Sequence, residues 1–393
     1  MNDQIRILLG GDTFPTKSNA ELFSKGDIKK IFGEDLPLLF SEADYSVLDL
    51  EGSFTESGKK KEKAGPSLKA PISALSGYKK LGLSCALLAN THFMDYGAEG
   101  FTDTTKELSK NGIDWLGAGE NENNIRSHHT VSIKGKTITF FTVTENMENA
   151  PGPDLPGVSI YEAEWVLPEI SRLKKECDLL IAIYHGGIER LQYPRPVMRR
   201  RFHAMAESGA DIVVMQHNHV IGAEEYYKGS YLLYGQGNFC FNYTTEATKL
   251  NQSALLLEII LEDSGFEVKK HPIRRTDTGC TLDHENDLSD FYERSALLKK
   301  AESGDPEAEQ LFSEEFSKAT KRWITPILSA LRGEDPLDRE KESSMEPKEF
   351  EAYLESRYSL EQLLAISMFF ENAEFREVST RIVKDLIEMK NHK

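Results

Sequence analysis

The chain has 393 residues, 39% hydrophobic and 28% charged, which is an ordinary globular balance with enough apolar material for one large core and an appendage. A formal net charge of −17 argues against nucleic acid or an anionic membrane surface as partner. No stretch approaches the ~18 uninterrupted apolar residues of a membrane-spanning helix, and the first dozen residues lack the basic flank and cleavage site of a secretory signal, so the cytoplasm is the expected location.

Residues 5–9 form a compact apolar run closed by Gly10 and Gly11, and residues 45–50 and 85–88 repeat that form after polar or helical segments. Buried strands alternating with helices predict a mostly parallel sheet. Residues 130–133 and 137–143, split by Lys134, Gly135 and Lys136, predict a hairpin. A helix over 165–177, a strand over 179–184, a helix over 196–208 and a strand over 211–215 come next. A second hairpin is expected from 254–261 and 266–270 around Gly265, which makes the sheet mixed. Beyond about residue 285 the apolar spacing becomes helical, over 291–300, 306–331 and 346–390, with a charged break at 333–342. Residues 281–393 hold 26 acidic and 16 basic residues, a net −10 against −7 for the rest. The expected organisation is an α/β domain over residues 1–280 and an acidic α-helical region over 281–393. Cys85, Cys177, Cys240 and Cys280 form no Cys-x-x-Cys pair and read as reduced core thiols.

Ligands of an α/β sheet bind beyond the carboxyl ends of its strands. After residues 5–9 comes Asp12; residues 45–50 contain Asp49 and end at Glu51; residues 85–88 lead to Asn90, His92 and Asp95. Residues 179–184 end at His185 with Glu189 close behind, and residues 211–215 lead to His217 and His219. One such residue alone is usually a helix cap or a loop tether. Five strands delivering oxygen and imidazole groups to one edge point instead to a metal site for Mn, Fe or Zn. His128, His129 and His203 fall outside that pattern and read as packing or surface residues. The run Lys59–Lys63 reads as loop decoration, and Arg199, Arg200 and Arg201 as a solvated helix face. Arg195, in the loop after Glu189, is positioned to receive an anionic substrate. Asp49 reads as directed away from Glu51. Gly117-Ala118-Gly119 lacks the third glycine of a dinucleotide fingerprint.

Gly11-Asp12, Leu50-Glu51-Gly52, Ala89-Asn90-Thr91-His92 with Asp95-Tyr96-Gly97, Tyr184-His185-Gly186-Gly187 with Glu189, Gly209-Ala210-Asp211, Gln216-His217-Asn218-His219 and Gly237-Asn238-Phe239 occur in this order. Together they resemble the motifs of the CapA family, associated with bacterial capsule and poly-γ-glutamate synthesis. The resemblance implies a metallophosphoesterase-like α/β sandwich with a mixed sheet. It further implies a metal-dependent hydrolase of a phosphoester or related bond, acting on an anionic small molecule or polymer. Asp12, Glu51 and His219 would then face one divalent ion, and Glu51, His185 and His217 a second, with an activated water between them as nucleophile. His92 would be the general acid, oriented by Asp95. Glu189, Arg195 and Asn238 would contact substrate. Where the family has Asn directly before the histidine, this chain has Thr91, so Asn90 is the available amide ligand and one or two ions remain open. A non-catalytic, metal-binding assembly factor of a surface-polymer pathway is the alternative reading.

Overall fold

The computed structural model describes residues 4–63, 66–145, 149–242 and 252–302 continuously, with scattered positions beyond. One mixed sheet has the strand order Cys280–Leu282, Gly265–Arg275, Ser253–Glu262, Ile5–Phe14, Tyr45–Leu50, Cys85–Leu87, Asp114–Leu116, with Cys240–Phe241 paired beside Ile5–Phe14. The second runs Glu224–Tyr227, Ser230–Leu233, Ile212–Gln216, Leu179–His185, Lys136–Thr144, His128–Ile133. The central strands of both are parallel; antiparallel hairpins close both edges of the second sheet and one edge of the first, whose other edge, Asp114–Leu116, is parallel to Cys85–Leu87. Both expected hairpins are present, the first turning through Lys134 and Gly135, each at positive φ.

Alternation along each strand explains the layering. Ile5, Ile7 and Leu9 enter one core, which they share with Val47, Ile181, Ile183, Ile212 and Val214, so the two sheets face each other there. Leu8, Leu48 and Leu50 point the other way, onto Phe23, Phe32, Phe40, Tyr78 and Phe101 of the helices covering the first sheet. Leu180, Ala182 and Tyr184 meet Val166, Ile170, Phe202 and Met205 on the outer side of the second. The fold is therefore a four-layered α/β sandwich. Strands buried on both faces need apolar residues at nearly every position, and each fully buried Leu, Ile, Val or Phe contributes about 1.5–3 kcal/mol. That is why these runs are continuous rather than alternating in sequence.

By internal contacts the chain divides into Met1–Ala319 and Thr320–Lys393. The first unit extends past the compositional boundary at 280 because Phe291 and Leu298, on the helix Ser289–Glu302, sit in two of its cores. Composition changes there, but packing does not. The helix expected over 346–390 and most of that over 306–331 lie outside the described residues. All four cysteines are free, three buried and Cys177 half-buried. Among the described residues no helix is long and apolar enough to cross a membrane.

Candidate metal centre

The carboxyl ends of strands from both sheets converge on one cluster. Ile5–Phe14 does not stop at its glycines. It continues through a register shift between Gly10 and Asp12, which turns Asp12 inward. A Cβ on Gly11 would collide with the Gly237 carbonyl oxygen, so glycine is what lets the loop bearing Asn238 lie against this strand. His217 and His219 come after the strand Ile212–Gln216 with φ of 85° and 58°, left-handed backbone that costs about 1–3 kcal/mol each in a non-glycine residue. Strain of that kind, concentrated on two neighbouring imidazoles, marks a functional arrangement.

Ligand atoms of Glu51, His185 and His217 all lie within 4.8 Å of one another, as do those of Asp12, Glu51 and His219. Glu51 is common to both groups. Asp12 Oδ2 accepts the His217 backbone N–H at 3.1 Å and faces His219 Nδ1 at 3.0 Å. His185 donates from Nδ1 to Asp49 Oδ2 at 2.8 Å, which directs its Nε2 towards Glu51 Oε1, 3.7 Å away. Four buried atoms of the cluster have no hydrogen-bond partner: Asp12 Oδ1, Glu51 Oε2, His185 Nε2 and His217 Nδ1. Each such atom costs about 1–3 kcal/mol unless something satisfies it. All four are metal-ligating types, so the residues present fit a divalent cation.

The charges fit as well. Burial, reinforced by the charge of Asp12, pushes the Glu51 and Asp49 carboxyls well above the usual range. Burial also opposes the Asp12 charge, but the bond from His219 and the facing histidines hold it below its ordinary value. Burial lowers His185 to about 4 and, with its histidine neighbours, His217 to about 3. Despite burial, His219 is raised to about 10 by Glu51 and Asp12. Crowded carboxyl groups beside two neutral imidazoles, those of His185 and His217, are the environment a divalent cation relieves.

Beside the cluster, His92 Nδ1 lies 2.7 Å from Asp95 Oδ2, and Asp95 is almost wholly buried. Asp95 N donates to the His92 carbonyl at 3.1 Å, so the three-residue spacing meets in a turn, not on the helical face the spacing suggested. Burial lowers the His92 pKa, with Asp95 acting against the shift. Asn90, expected as a metal ligand, is otherwise engaged: its Nδ2 donates to Asp49 Oδ1 at 2.7 Å and to the Leu50 carbonyl at 2.9 Å. Its Oδ1 accepts from Phe93 N at 2.8 Å and His92 N at 3.2 Å. In this conformation Asn90 pins the turn that carries His92. The Thr91 hydroxyl donates to Glu51 Oε1 at 3.4 Å.

The outer residues differ more from expectation. Asp49 and Glu51 both face the cluster, as positions two apart on a strand must, and Asp49 orients His185 instead of pointing away. Asn238 Oδ1 lies 2.8 Å from His219 Nδ1, so this expected substrate contact is first a partner of a cluster histidine. Glu189 is half-buried in the loop after His185 and its charge acts on Glu51, His217 and His219. Arg195 opens the helix Pro196–Glu207 and lines a cavity of 760 Å³ with Leu191, Tyr193 and Phe312, whose walls include none of the cluster residues. Arg199 and Arg201 are not a solvated face: Arg199 pairs with Glu225 at 2.5 Å, and Arg201 reaches Tyr184 Oη at 2.5 Å and Glu145 at 3.3 Å. Of the three, only Arg200 is exposed. Nor is Lys63 loop decoration, since its Nζ lies 2.5 Å from Asp95 Oδ1. Glu145, which sequence reasoning missed, accepts from Tyr184 Oη and Gly187 N, each at 2.7 Å, and so fixes the turn after His185. It comes directly after the strand Lys136–Thr144, so the strand-end rule applied to that strand would have found it.

The family model described as bacterial capsule synthesis protein PGA_cap matches residues 6–243, a segment that contains every residue of the cluster and the His92–Asp95 pair. The chain belongs to this family. Among relatives, the capsule biosynthesis protein CapA of Bacillus anthracis is 27% identical over 276 residues, 68% of this chain and 66% of its own length. The PGA biosynthesis protein CapA of Bacillus subtilis (strain 168) is 30% identical over 237 residues, 58% of this chain and 62% of its own. The chain thus spans a little under two thirds of the length of each. A crystal structure of a novel phosphatase from Mycoplasma pneumoniae is 13% identical with a TM-score of 0.43, covering 75% of this chain and 99% of that one.

Proposed function

We propose that this PGA_cap protein is a divalent-metal-dependent hydrolase acting on a phosphoester or related bond of an anionic metabolite or polymer. The observation that carries the reading is the set of four unpartnered, buried ligand atoms on Asp12, Glu51, His185 and His217, next to a paired His92 and Asp95. Asp12, Glu51 and His219 would hold one ion and Glu51, His185 and His217 a second, with Mn, Fe and Zn all suited to mixed carboxylate and imidazole ligation. A bound cation of this class supplies Lewis acidity at the scissile group and makes water a usable nucleophile near neutral pH.

The chain's own residues do the rest. Asp49 fixes the His185 ring, and Asn238 and Asp12 fix His219. The imidazolium of His92 gives its Nε2 proton to the departing oxygen while Nδ1–H stays on Asp95. Glu189 and Arg195 are the candidates for substrate contact. We assign the reaction to the cytoplasm, in keeping with four free thiols.

The test is metal analysis of protein purified without chelators, followed by assays on simple phosphomonoesters and phosphodiesters. Bound metal with turnover that chelation abolishes is the expected result; absence of both overturns the proposal. The names of the two CapA relatives are biosynthetic and favour a second reading, a metal-binding assembly factor. Stoichiometric metal with no hydrolysis of any ester would select it.

A further inference from the structure

We infer that Lys63 is a positioning residue of the acid pair: its ammonium, laid against the far oxygen of Asp95, holds the carboxylate that aims His92. This inference rests on the hydrolase reading above. The Lys63 side chain is 10% exposed, whereas Lys59 and Lys60 of the same basic run extend into solvent. Lysine gives up more side-chain freedom on burial than most residues and its charge is costly to desolvate, so a buried lysine requires a partner. The partner is Asp95, with Nζ 2.5 Å from Oδ1; the same Nζ lies 3.4 Å from the Thr91 carbonyl oxygen and 3.3 Å from His92 Nδ1.

The arrangement uses both carboxylate oxygens. Oδ2 accepts from His92 Nδ1 at 2.7 Å and from Leu68 N at 2.8 Å, while Oδ1 takes the ammonium. The Asp95 backbone carbonyl accepts from Lys61 N at 2.7 Å, so the lysine-bearing segment is tied to the same residue twice. A terminal carboxylate torsion is soft, and a carboxylate held at one end can swing. A charge-assisted bond at the other end removes that freedom and transmits the constraint to the imidazole sharing the Oδ2 edge. Lys63 thus acts on the proton donor through Asp95, without being the donor.

The experiment compares Lys63→Met with a Lys59→Met/Lys60→Met control, using the full chain loaded with diamagnetic Zn. Lys63→Met should lower turnover of an alkyl phosphate about 10–100-fold, the effect of misaligning a donor. It should change turnover of an activated nitrophenyl phosphate by less than about 2-fold, since that leaving group needs no proton, with KM and metal content retained. Lys63→Arg should recover most of the loss. Independently of activity, 15N-histidine NMR should show the His92 Nδ1–H resonance, assigned by its absence in His92→Ala, broadened away in Lys63→Met and kept in the control. An unchanged Nδ1–H signal in Lys63→Met, or equal losses on both esters together with metal release, overturns the inference. Wild-type protein inert towards both esters would sink the hydrolase reading alone, and the NMR arm would still decide Lys63.

Discussion

Glu225 and Glu51 are both glutamates set among histidine and other polar side chains, yet their surroundings are opposite. Glu225 accepts from Arg199 at 3.1 and 2.5 Å, from His203 at 2.8 Å and from Tyr234 at 2.5 Å. Burial opposes its charge, but those donors hold its carboxyl below the ordinary range. Glu51 has long contacts with Thr91 and the His185 ring and one oxygen with no partner, and its carboxyl is driven well up. The same residue types therefore serve two purposes. Donors from the chain complete the first cluster; the second is short of positive charge, and that shortage is what a cation would fill.

The sharpest way to break this comparison is to remove an imidazole from the incomplete cluster. His217→Ala or His185→Ala should reduce metal affinity by more than the ~10–100-fold typical of losing an outer partner, while Asn90→Ala, whose amide is already engaged, should reduce it less. Equilibrium dialysis with atomic absorption reads the difference. Equal losses would make Asn90 a ligand after all.

His92→Ala should keep both metal and fold but lose roughly 10²–10⁴ in turnover on an unactivated ester. Full turnover with full metal would remove the acid role. The complete cluster should behave in the reverse way: Glu225→Ala should lower stability by about 3 kcal/mol in urea unfolding, because Arg199 and His203 lose a largely buried partner. Metal content should not change, and metal release from that variant would mean the two clusters are not separate. The smallest effect is expected of Asp49→Asn, which keeps shape but weakens the acceptor on His185 Nδ1; metal affinity should fall about 10-fold by isothermal titration.

Much of the centre was legible because one rule governs it. Apolar runs buried on both faces announce strands, and the rule that ligands bind past the strand ends singled out Asp12, Glu51, His185, His217 and His219, which the fold brings together. The rule failed where a residue's role depends on a partner distant in sequence. Asn90 looked like a ligand until its amide was seen to bridge Asp49 and the turn at His92. Lys63 reaches Asp95 across 32 positions through a segment with no periodic pattern, and a run of lysines gives no sign of which one turns inward. Asp49 was misdirected by a misapplied alternation, since positions two apart share a face. The boundary at 280 tracked charge, which belongs to the surface, whereas Phe291 and Leu298 continue the interior.

The left-handed backbone at His217 and His219 has a consequence for the protein's tolerance of change. Glycine would relax both positions, and asparagine would suit them better than most residues, so at these two sites improved folding and retained imidazoles are mutually exclusive. Selection for heat resistance alone would erode the loop at His217 and His219 before it touched the strands beneath. Two strained histidines there therefore cost the loop stability in exchange for the imidazoles it holds.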